Sequence, residues 1–422
     1  MTVDKIFCSS SYLMYRTIID NEKCFSKKFI PSLFEENDDR RKVFSSIELE
    51  KELKTNVENV CRFGKVALAL SGGIDSAILA KFMPKGSTCY TFKCIVPGVQ
   101  VIDETIQAAK YAKECGLNHK IIPIYWEDFE KYTPILMERK GAPIHSIEVQ
   151  IYKAALCAKA DGIDTLIFGE SADVNYGGLN GLLSKDYTVE NFLYRYSYLM
   201  PDKVLKEYRI LKQPIEKYSH NGVVDVHEFC RHVFYCESIG SYFNACMCAN
   251  INFYAPFSKT YMGEKLDLER VRKGENKYWV REIFSRLYPG WDIPQKTPMP
   301  RPMNEWFSNW TGPKREEFIE DLDMKQFTGD QKWQMWCLEI FLDILDKDKC
   351  VSPSDRTRAR PRAACPSRRR GRTRRSPFGC ARTRQRRVPS RAPTPSQDRR
   401  RSRGTSRRAV PIQARTFHPP PL

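Results

Sequence analysis

Residues 66–77 read VALALSGGIDSA. The apolar run 66–70 predicts a short buried strand, and residues 74–82 predict the helix that follows it. Gly72 and Gly73 lie between the two elements, and because glycine has no Cβ, the backbone there can approach a ligand closely. The N-terminus of a helix presents free N–H groups and the positive end of its dipole to an anion. This stretch therefore predicts a phosphate-binding loop rather than an ordinary glycine-rich turn.

Three polar side chains of the loop suit a nucleotide. Ser71 and Ser76 offer hydroxyl donors, and Asp75 offers a carboxylate for the Mg²⁺ that accompanies ATP. The Gly-Lys-Ser/Thr sequence of a Walker loop does not occur here. This difference fits a site that cleaves ATP between its α- and β-phosphates, and we expect ATP and Mg²⁺ as cofactors.

Outward from the loop, buried strands alternate with helices. Strands are predicted at 66–70, 90–96, 120–124 and 165–168, and helices at 74–82, 104–115 and 146–161. Such alternation predicts an α/β fold, a parallel sheet with helices on both faces. Beyond residue 178 the strand signals fade, and apolar residues at helical spacing predict a mostly helical second half. The expected domains are a partly helical N-terminal extension over 1–60, a nucleotide-binding domain over 61–350 and a tail over 351–422.

The charge of the chain is concentrated in that tail. Residues 351–422 hold 22 Arg and two acidic residues, whereas the first 350 residues carry a net charge of −2. Arg, Pro and Ser without apolar periodicity predict a disordered tail without a required function, and nucleic-acid binding through this tail is the main alternative. The chain shows neither a membrane-length apolar run nor the pattern of a signal peptide. Together with 15 scattered cysteines, this predicts a cytoplasmic protein with reduced thiols.

A second acidic motif follows the fourth predicted strand. Residues 169–178 read GESADVNYGG. Because Glu170 and Asp173 come after a buried strand and precede two glycines, we favour a site at the strand end over a solvated acidic turn.

Both motifs carry a family resemblance. The loop 71–76 resembles the PP-loop of ATP pyrophosphatases, which include asparagine, β-lactam, NAD and GMP synthetases and some tRNA-modifying enzymes. Residues 169–178 resemble the asparagine synthetase motif Gly-Glu-Gly-(Ser/Ala)-Asp-Glu-x-x-Gly-Gly-Tyr. Further segments that are similar to that family, in the family's order, lie at 103–119, 255–257, 277–281 and 294–296. The chain thus resembles the C-terminal synthetase domain of asparagine synthetases over about residues 60–310.

Four positions depart from that family's pattern. Ser171 replaces a glycine, Val174 replaces a glutamate, and Ser258-Lys259 replaces Leu-Asp. These changes leave Glu170 and Asp173 in place. Because of them, the sequence allows an acid other than aspartate as the substrate.

The resemblance implies a role for each matching residue. Ser71, Gly72, Gly73 and Ser76 would hold the phosphates, and the backbones of Leu70, Cys94 and Gly169 would line the adenosine pocket. Asp75 and Asp173 would ligate Mg²⁺. Glu170 would be the catalytic base that accepts a proton from the attacking amine, and Lys296 would stabilise negative charge at phosphorus or at the tetrahedral intermediate.

Lys277 and Arg281 are a different case. They lie four residues apart on one predicted helix face, which is typical of a solvated basic stripe. We expect no role in the chemistry for either residue.

The implied reaction is an ATP-dependent amide synthesis. A substrate carboxylate would be converted to an acyl-AMP with release of pyrophosphate, and nitrogen would then displace AMP. The phosphate loop is reached at residue 71, which leaves no room for the family's N-terminal glutaminase. We therefore expect ammonia, a small amine or ammonia from a separate glutaminase as the nitrogen donor. A homodimer is one of the partner arrangements that the sequence allows. The alternatives are NAD synthetase-like or tRNA-modifying PP-loop chemistry, and a non-catalytic nucleotide-binding protein with a nucleic-acid-binding tail.

Overall fold

The central sheet forms the frame on which both sequence motifs are mounted. The structure is a computed structural model that describes residues 1–32, 40–296 and 299–350. Within these ranges the sheet has five parallel strands: β1 (Val66–Ala69), β2 (Thr88–Cys94), β3 (Asn118–Ile124), β4 (Thr165–Ile167) and β5 (Asn252–Tyr254). Their order across the sheet is β5–β4–β1–β2–β3. The predicted α/β class is confirmed, and the predicted disordered tail lies outside the described residues.

Helices connect the strands, and they are the main regular structure in the second half of the described chain. They are α1 (Lys5–Tyr15), α2 (Ser46–Phe63), α3 (Ile74–Phe82), α4 (Thr105–Cys115), α5 (Trp126–Lys140), α6 (Ile147–Ala160), α7 (Ala172–Asn175), α8 (Asn180–Leu183), α9 (Val189–Tyr196), α10 (Gln213–Glu216), α11 (Val226–Phe229), α12 (Tyr235–Cys248), α13 (Leu268–Arg272), α14 (Tyr278–Leu287), α15 (Met303–Trp306) and α16 (Gly329–Cys350). A π-helical segment, Cys230–Phe234, joins α11 to α12, and 3₁₀ turns lie at Pro201–Lys203, Pro256–Lys259 and Met324–Gln326. Among the described residues, three pairs of short strands lie outside the central sheet: Thr2–Val3 with Lys23–Cys24, Arg41–Val43 with Thr260–Met262, and Ser219–His220 with Val223–Val224. No helix in the described ranges is long and apolar enough to cross a membrane.

Strand β1 shows why the sheet is covered on both faces. Val66 and Leu68 belong to one buried hydrophobic cluster, whereas Ala67, between them, belongs to another. Successive side chains of a strand point to opposite faces, so each cluster covers one face of the sheet. Helices α2, α3, α4 and α14 pack together on the first face, and α5, α6 and α12 on the second.

The first 60 residues contribute to both clusters. Tyr15 of α1 and Leu49 and Leu53 of α2 are buried in the first cluster, and Leu13 of α1 is buried in the second. The Tyr12 hydroxyl donates to the Ile144 carbonyl at 2.9 Å, which joins α1 to the segment before α6. The segment predicted as an extension is thus packed into the core.

Helix α5 and strand β5 are among the elements that the sequence analysis did not predict. Helix α5 contains Pro134, a residue that weakens a helical pattern in sequence. Strand β5 is three residues long and pairs with β4 only through contacts distant in the chain. Short strands of this kind are defined by the neighbour to which they hydrogen-bond, so they leave little local pattern.

Candidate functional site

The site lies where the strand order reverses. From β1 the chain proceeds to β2 and β3 on one side, whereas β4 lies on the other side of β1. In parallel sheets, such a reversal opens a crevice at the carboxyl ends of the two central strands. Gly169, just after β4, approaches the phosphate loop so closely that a Cβ there would lie 3.0 Å from the Ser76 nitrogen. The two sequence motifs therefore meet at one crevice.

Lys277 joins the two predicted metal-binding carboxylates. Its Nζ atom lies 2.6 Å from Oδ2 of Asp75 and 2.6 Å from Oδ1 of Asp173. The Lys296 ammonium lies 2.8 Å from the same Asp173 oxygen. Lys277 is 5% exposed, so the prediction that it belongs to a solvated basic stripe is wrong. Arg281, its partner in that prediction, donates to the Asn276 side chain instead.

This arrangement shifts the pKa values of all three bridged groups. Burial raises the pKa of Asp75, an effect that the Lys277 charge opposes and the Asp173 charge increases. For Asp173, burial would also raise the pKa, but Lys277 and Lys296 outweigh burial and hold it at about 2. Burial would lower the pKa of Lys277, but the Asp173 and Asp75 charges raise it overall. The site therefore holds an ionised Asp173 against two cations.

The closing glycine of the second motif makes room for this bridge. A Cβ on Gly178 would lie 2.0 Å from Oδ1 of Asp173 and 2.3 Å from Cε of Lys277. The Gly178 carbonyl accepts a hydrogen bond of 3.0 Å from Lys296. A side chain at this position would displace the Lys277 bridge, which explains the glycine physically.

The phosphate loop satisfies its own donors. The Ser71 N–H donates to Ser76 Oγ at 3.0 Å, and the Gly73 N–H donates to Ser71 Oγ at 3.2 Å. The Gly72 N–H donates to Oε2 of Glu104 at 2.9 Å. Burial is the main cause that raises the pKa of Glu104 to about 7. A phosphate that binds this loop must therefore displace hydroxyl and carboxyl acceptors.

A cavity connects the loop with the second motif. It contains about 1070 Å³ of empty space, its solvent-filled mouth included. The predicted site residues that line it are Leu70, Ser71, Asp75, Ser76, Gly169, Glu170, Asp173 and Lys296. Gly72, Gly73 and Cys94 are not among its described lining residues, and the Cys94 thiol donates to the Pro300 carbonyl at 3.2 Å.

Glu170 lies inside this cavity, 2% exposed. Burial and the neighbouring Glu170 carboxylate raise the pKa of Tyr242 well above its ordinary value. The next residue, Ser171, has a φ of 83° in the left-handed region, which glycine adopts readily and other residues rarely. Val174, which replaces the family's glutamate, is fully buried, and its carbonyl lies 3.1 Å from Nε2 of His227.

The crevice suits a magnesium ion that arrives with a nucleotide. Oδ1 of Asp75 is buried and has no hydrogen-bond partner in the described part of the chain. Within that same part, no three His, Cys, Asp or Glu side chains group into a complete metal site. Mg²⁺ commonly takes one or two protein carboxylates and completes its shell with phosphate oxygens and water. The residues thus fit Mg²⁺ held jointly by Asp75, Asp173 and a triphosphate.

Sequence reasoning missed two residues of this site. Glu104 was noted only as part of the resemblance, and Lys277 was assigned to a surface stripe. The available signal for Lys277 was the resemblance of residues 277–281 to the family's Lys-x-x-Leu-Arg helix. Helical spacing by itself could not show which face of α14 is buried.

The fold and the two motifs resemble those of ATP-using PP-loop proteins, and a family model matches part of the chain. Residues 48–237 match the model of asparagine synthase. The predicted resemblance is therefore confirmed for that segment, which is an asparagine synthase domain.

One curated relative matches part of the chain. A protein of Methanocaldococcus jannaschii, provisionally named as a glutamine-hydrolysing asparagine synthetase, is 28% identical over 134 residues. These residues are 31% of this chain and 24% of that protein, so the match spans about a quarter of the relative's length.

Solved structures show weaker similarities. An NMN synthetase from Francisella tularensis is 17% identical with a TM-score of 0.22, covering 32% of this chain and 59% of that one. An NH₃-dependent NAD synthetase from Campylobacter jejuni is 14% identical with a TM-score of 0.22, covering 32% and 61%. A U34-tRNA thiolase from Methanococcus maripaludis is 12% identical with a TM-score of 0.25, covering 60% and 82%. Similarities at these TM-scores do not distinguish among the functions.

Proposed function

We propose that this chain is an ATP-dependent carbon–nitrogen ligase that forms AMP, of the asparagine synthetase type. It adenylates a substrate carboxylate, releases pyrophosphate and transfers ammonia or an amine to the activated acid. The observation that carries the proposal is the convergence of Asp75, Asp173, Lys277 and Lys296 beside the phosphate loop.

The chemistry requires activation because a carboxylate has no usable leaving group. One carboxylate oxygen attacks the α-phosphorus of ATP, and the bond to the bridging oxygen breaks as pyrophosphate leaves. The nitrogen donor then attacks the acyl carbon, its proton is removed, and AMP departs. The protein contributes mainly positioning and charge stabilisation.

In the adenylation step, the phosphate loop and the two lysines beside it would bind the triphosphate. Ser71, Gly73 and Ser76 would exchange their mutual hydrogen bonds for contacts with the β- and γ-phosphates. Lys296, whose side chain is 35% exposed, would contact a phosphate while Lys277 stays between the two aspartates. Bound Mg²⁺, held by Asp75 and Asp173, would neutralise charge on the triphosphate.

In the amide-forming step, Glu170 would act as the base. Its carboxylate lies in the same cavity as Asp173, three residues earlier in the chain, next to Tyr242. From this position it would accept the proton that the attacking nitrogen loses. The nitrogen donor in this proposal is ammonia, a small amine or ammonia from a separate glutaminase.

A pyrophosphate-release assay tests the proposal directly. The full chain is mixed with ATP, Mg²⁺ and ammonium, and a panel of carboxylic acids is added one at a time. We expect one class of acid to stimulate release, with amide and AMP formed in equal amounts. Asp75→Asn and Asp173→Asn should abolish release, whereas Asp186→Asn, in an exposed ion pair with Arg272, should not.

Two outcomes would contradict the proposal. Stimulation by deamido-NAD would assign the chain to the NAD synthetases instead. A full acid panel that produces no pyrophosphate, although Mg·ATP binds, would show a nucleotide-binding protein without ligase activity.

A further inference from the structure

Glu104 contacts the phosphate loop although it belongs to neither nucleotide motif. Its Oε2 atom accepts the Gly72 N–H at 2.9 Å, and the two residues are 32 positions apart in the chain. Glu104 also lines the cavity, together with Ser71 and Asp75. Backbone N–H groups at the start of a helix are the donors that a phosphate uses. The Glu104 carboxyl group therefore occupies a place that a nucleotide would need.

The start of α4 holds this carboxyl group at the loop. Glu104 directly precedes α4, but its side chain makes no capping hydrogen bond to that helix. Its neighbour Asp103 is fixed instead: Oδ1 accepts the Thr105 N–H at 2.9 Å and the Thr105 hydroxyl at 2.6 Å, and Oδ2 lies 2.7 Å from the Lys93 ammonium. Because Asp103 anchors the start of the helix, the Glu104 side chain is directed to the loop.

Close packing keeps Glu104 near any anion that binds the loop. A Cβ on Gly72 would lie 3.1 Å from the Glu104 Cβ and 3.4 Å from the Gln107 Cβ. The loop backbone and the first turn of α4 are thus in contact, which a glycine allows. A phosphate that binds the Gly72 N–H displaces the carboxyl group by side-chain rotation. That group then stays next to the phosphate oxygens.

The two neighbouring acids have opposite pKa shifts. Burial would raise the pKa of Asp103, but hydrogen bonds from Lys93 and Thr105 lower it overall. Burial is the main cause that raises the pKa of Glu104 to about 7; the Gly72 hydrogen bond opposes this rise, and the Asp103 charge increases it. Near neutral pH, Glu104 is therefore present in both forms, whereas Asp103 stays ionised.

A bound triphosphate would change the charge beside Glu104. The charged side chains on the elements around the loop are paired with one another: Lys93 with Asp103, Asp75 with Lys277, Lys296 with Asp173, and Arg301 with Asp330. A phosphate at Gly72 adds negative charge and removes the hydrogen bond that favours the ionised carboxylate. Both changes favour the protonated form of Glu104.

A protonated carboxyl group has an O–H donor, which a carboxylate lacks. Resting on the ATP binding proposed above, we propose that Glu104 is a nucleotide-binding residue that changes role when ATP binds. Without nucleotide, its carboxyl oxygen accepts the Gly72 N–H. With nucleotide, a phosphate oxygen accepts that N–H, and Glu104 takes up a proton from solvent and donates its O–H to the phosphate. ATP binding is thus coupled to net proton uptake.

This coupling determines the direction of the pH dependence. Below about pH 7, Glu104 already holds the proton, so nucleotide binding takes up little. Above about pH 7, the proton must be acquired from solvent, and the affinity for ATP decreases by at most about tenfold per pH unit. A carboxyl group that turned into solvent on binding would behave in the opposite way and release its proton.

Isothermal titration calorimetry of the full chain with Mg·ATP, without acid or ammonium, tests the coupling in the absence of turnover. Between pH 7.0 and pH 8.5, we expect Kd to rise by about threefold to tenfold. Titrations at pH 8 in Hepes and in Tris, which differ in ionisation enthalpy, should show uptake of roughly half a proton per ATP.

A matched pair of variants isolates Glu104. In Glu104→Gln the amide can accept from Gly72 and donate to a phosphate without a proton, so the proton uptake and the accompanying rise in Kd should disappear. Glu114→Gln, which changes an exposed partner of Lys81 on the same helix, should retain both. Because all these proteins bind the same nucleotide, its own titration cancels in the comparison.

The outcomes separate this inference from the ligase proposal. Net proton release, no proton exchange, or an unchanged proton uptake in Glu104→Gln would overturn the inference. If Glu104→Gln does not fold, the sign of the proton exchange in the unaltered chain still decides. Absence of Mg·ATP binding at every pH would overturn the ligase proposal as well, whereas ATP binding without proton uptake overturns this inference alone.

Discussion

The ammonium of Lys277 lies 2.6 Å from Oδ2 of Asp75, a residue 202 positions earlier in the chain. Because Lys277 also contacts Asp173, one buried cation compensates two buried carboxylates. Both carboxylates are candidates for the magnesium site, so a metal–nucleotide complex must share them with this lysine. The site is thus electrostatically balanced before any ligand arrives.

Replacement of Lys277 should affect both stability and activity. In Lys277→Met the two carboxylates lose their shared partner inside the protein, and we expect the free energy of unfolding to fall by about 3–5 kcal/mol. Pyrophosphate release should be lost as well. Urea denaturation measures the first effect. Lys273→Met, which removes a surface pair with Glu269, should change stability by less than about 0.5 kcal/mol; equal stability of the two variants would refute the bridging role.

Lys296 should behave differently although it contacts the same Asp173. Its side chain is 35% exposed, so its ion pair is weakened by solvent. For Lys296→Met we expect a stability loss below about 1 kcal/mol, together with a decrease in kcat of about 10²-fold. Denaturation and steady-state kinetics on one preparation would measure both. Lys296→Arg should recover part of the rate, and full activity of the methionine variant would exclude the proposed role.

Glu104 predicts a specific dependence of stability on pH. Its pKa in the folded chain is about 7, above its ordinary value of 4.5, so the folded state retains a proton that the unfolded state releases. Stability from this group is therefore complete below about pH 4.5 and is lost as the pH rises towards 7.

The Glu104→Gln variant should not show this loss of stability with rising pH. Relative to the unaltered chain, the variant should gain about 1–3 kcal/mol between pH 5 and pH 8, measured by urea denaturation at both values. Glu114→Gln, which changes an exposed partner of Lys81, provides the control. A pH dependence identical in the Glu104→Gln protein and the unaltered chain would show that Glu104 is not the group responsible.

Replacement of two motif glycines by alanine should have different effects on stability and on ATP binding. A Cβ on Gly178 would collide with Asp173 and Lys277, so Gly178→Ala should destabilise the fold by about 1–3 kcal/mol. Gly73 has a φ of −87°, and its Cβ would meet only Ser71 Oγ at 3.4 Å. Gly73→Ala should therefore fold normally but bind ATP more weakly, because the proposed phosphate contact needs a close approach to the loop backbone, which a methyl group would hinder. Thermal melts and ATP titrations on both proteins distinguish the effects; a fully stable Gly178→Ala protein would contradict the packing argument.

Ser171 offers a stabilising substitution. It has a φ of 83° at the position where the family motif has glycine, and its buried hydroxyl has no hydrogen-bond partner among the described residues. Ser171→Gly relieves the backbone strain and should raise the free energy of unfolding by about 1 kcal/mol. Ser171→Ala removes the same hydroxyl but keeps the Cβ, so a comparison of the two by denaturation isolates the strain. No difference between them would indicate that the backbone is not strained.

Local sequence determined the phosphate loop and the acidic residues of the site. The helix predicted over 74–82 is α3 with the same bounds, because a glycine pair between a buried strand and an apolar-periodic segment leaves few alternatives. Alternating strands and helices predicted the parallel sheet, and a parallel sheet brings strand ends to one edge. Asp75, Glu170 and Asp173 could be assigned to one crevice from the order of these elements.

Tertiary structure decided what surrounds those residues. Lys277 contacts Asp75 and Asp173, and Glu104, Arg16 and Arg301 line the cavity, although all four come from distant parts of the chain. The spacing of their neighbours in the sequence carries no trace of these contacts. Helical periodicity predicts that a face exists, but packing determines whether solvent or a buried carboxylate lies against it. The sequence by itself therefore determined the phosphate loop and its acidic partners, and only the folded chain placed Lys277 between the two carboxylates.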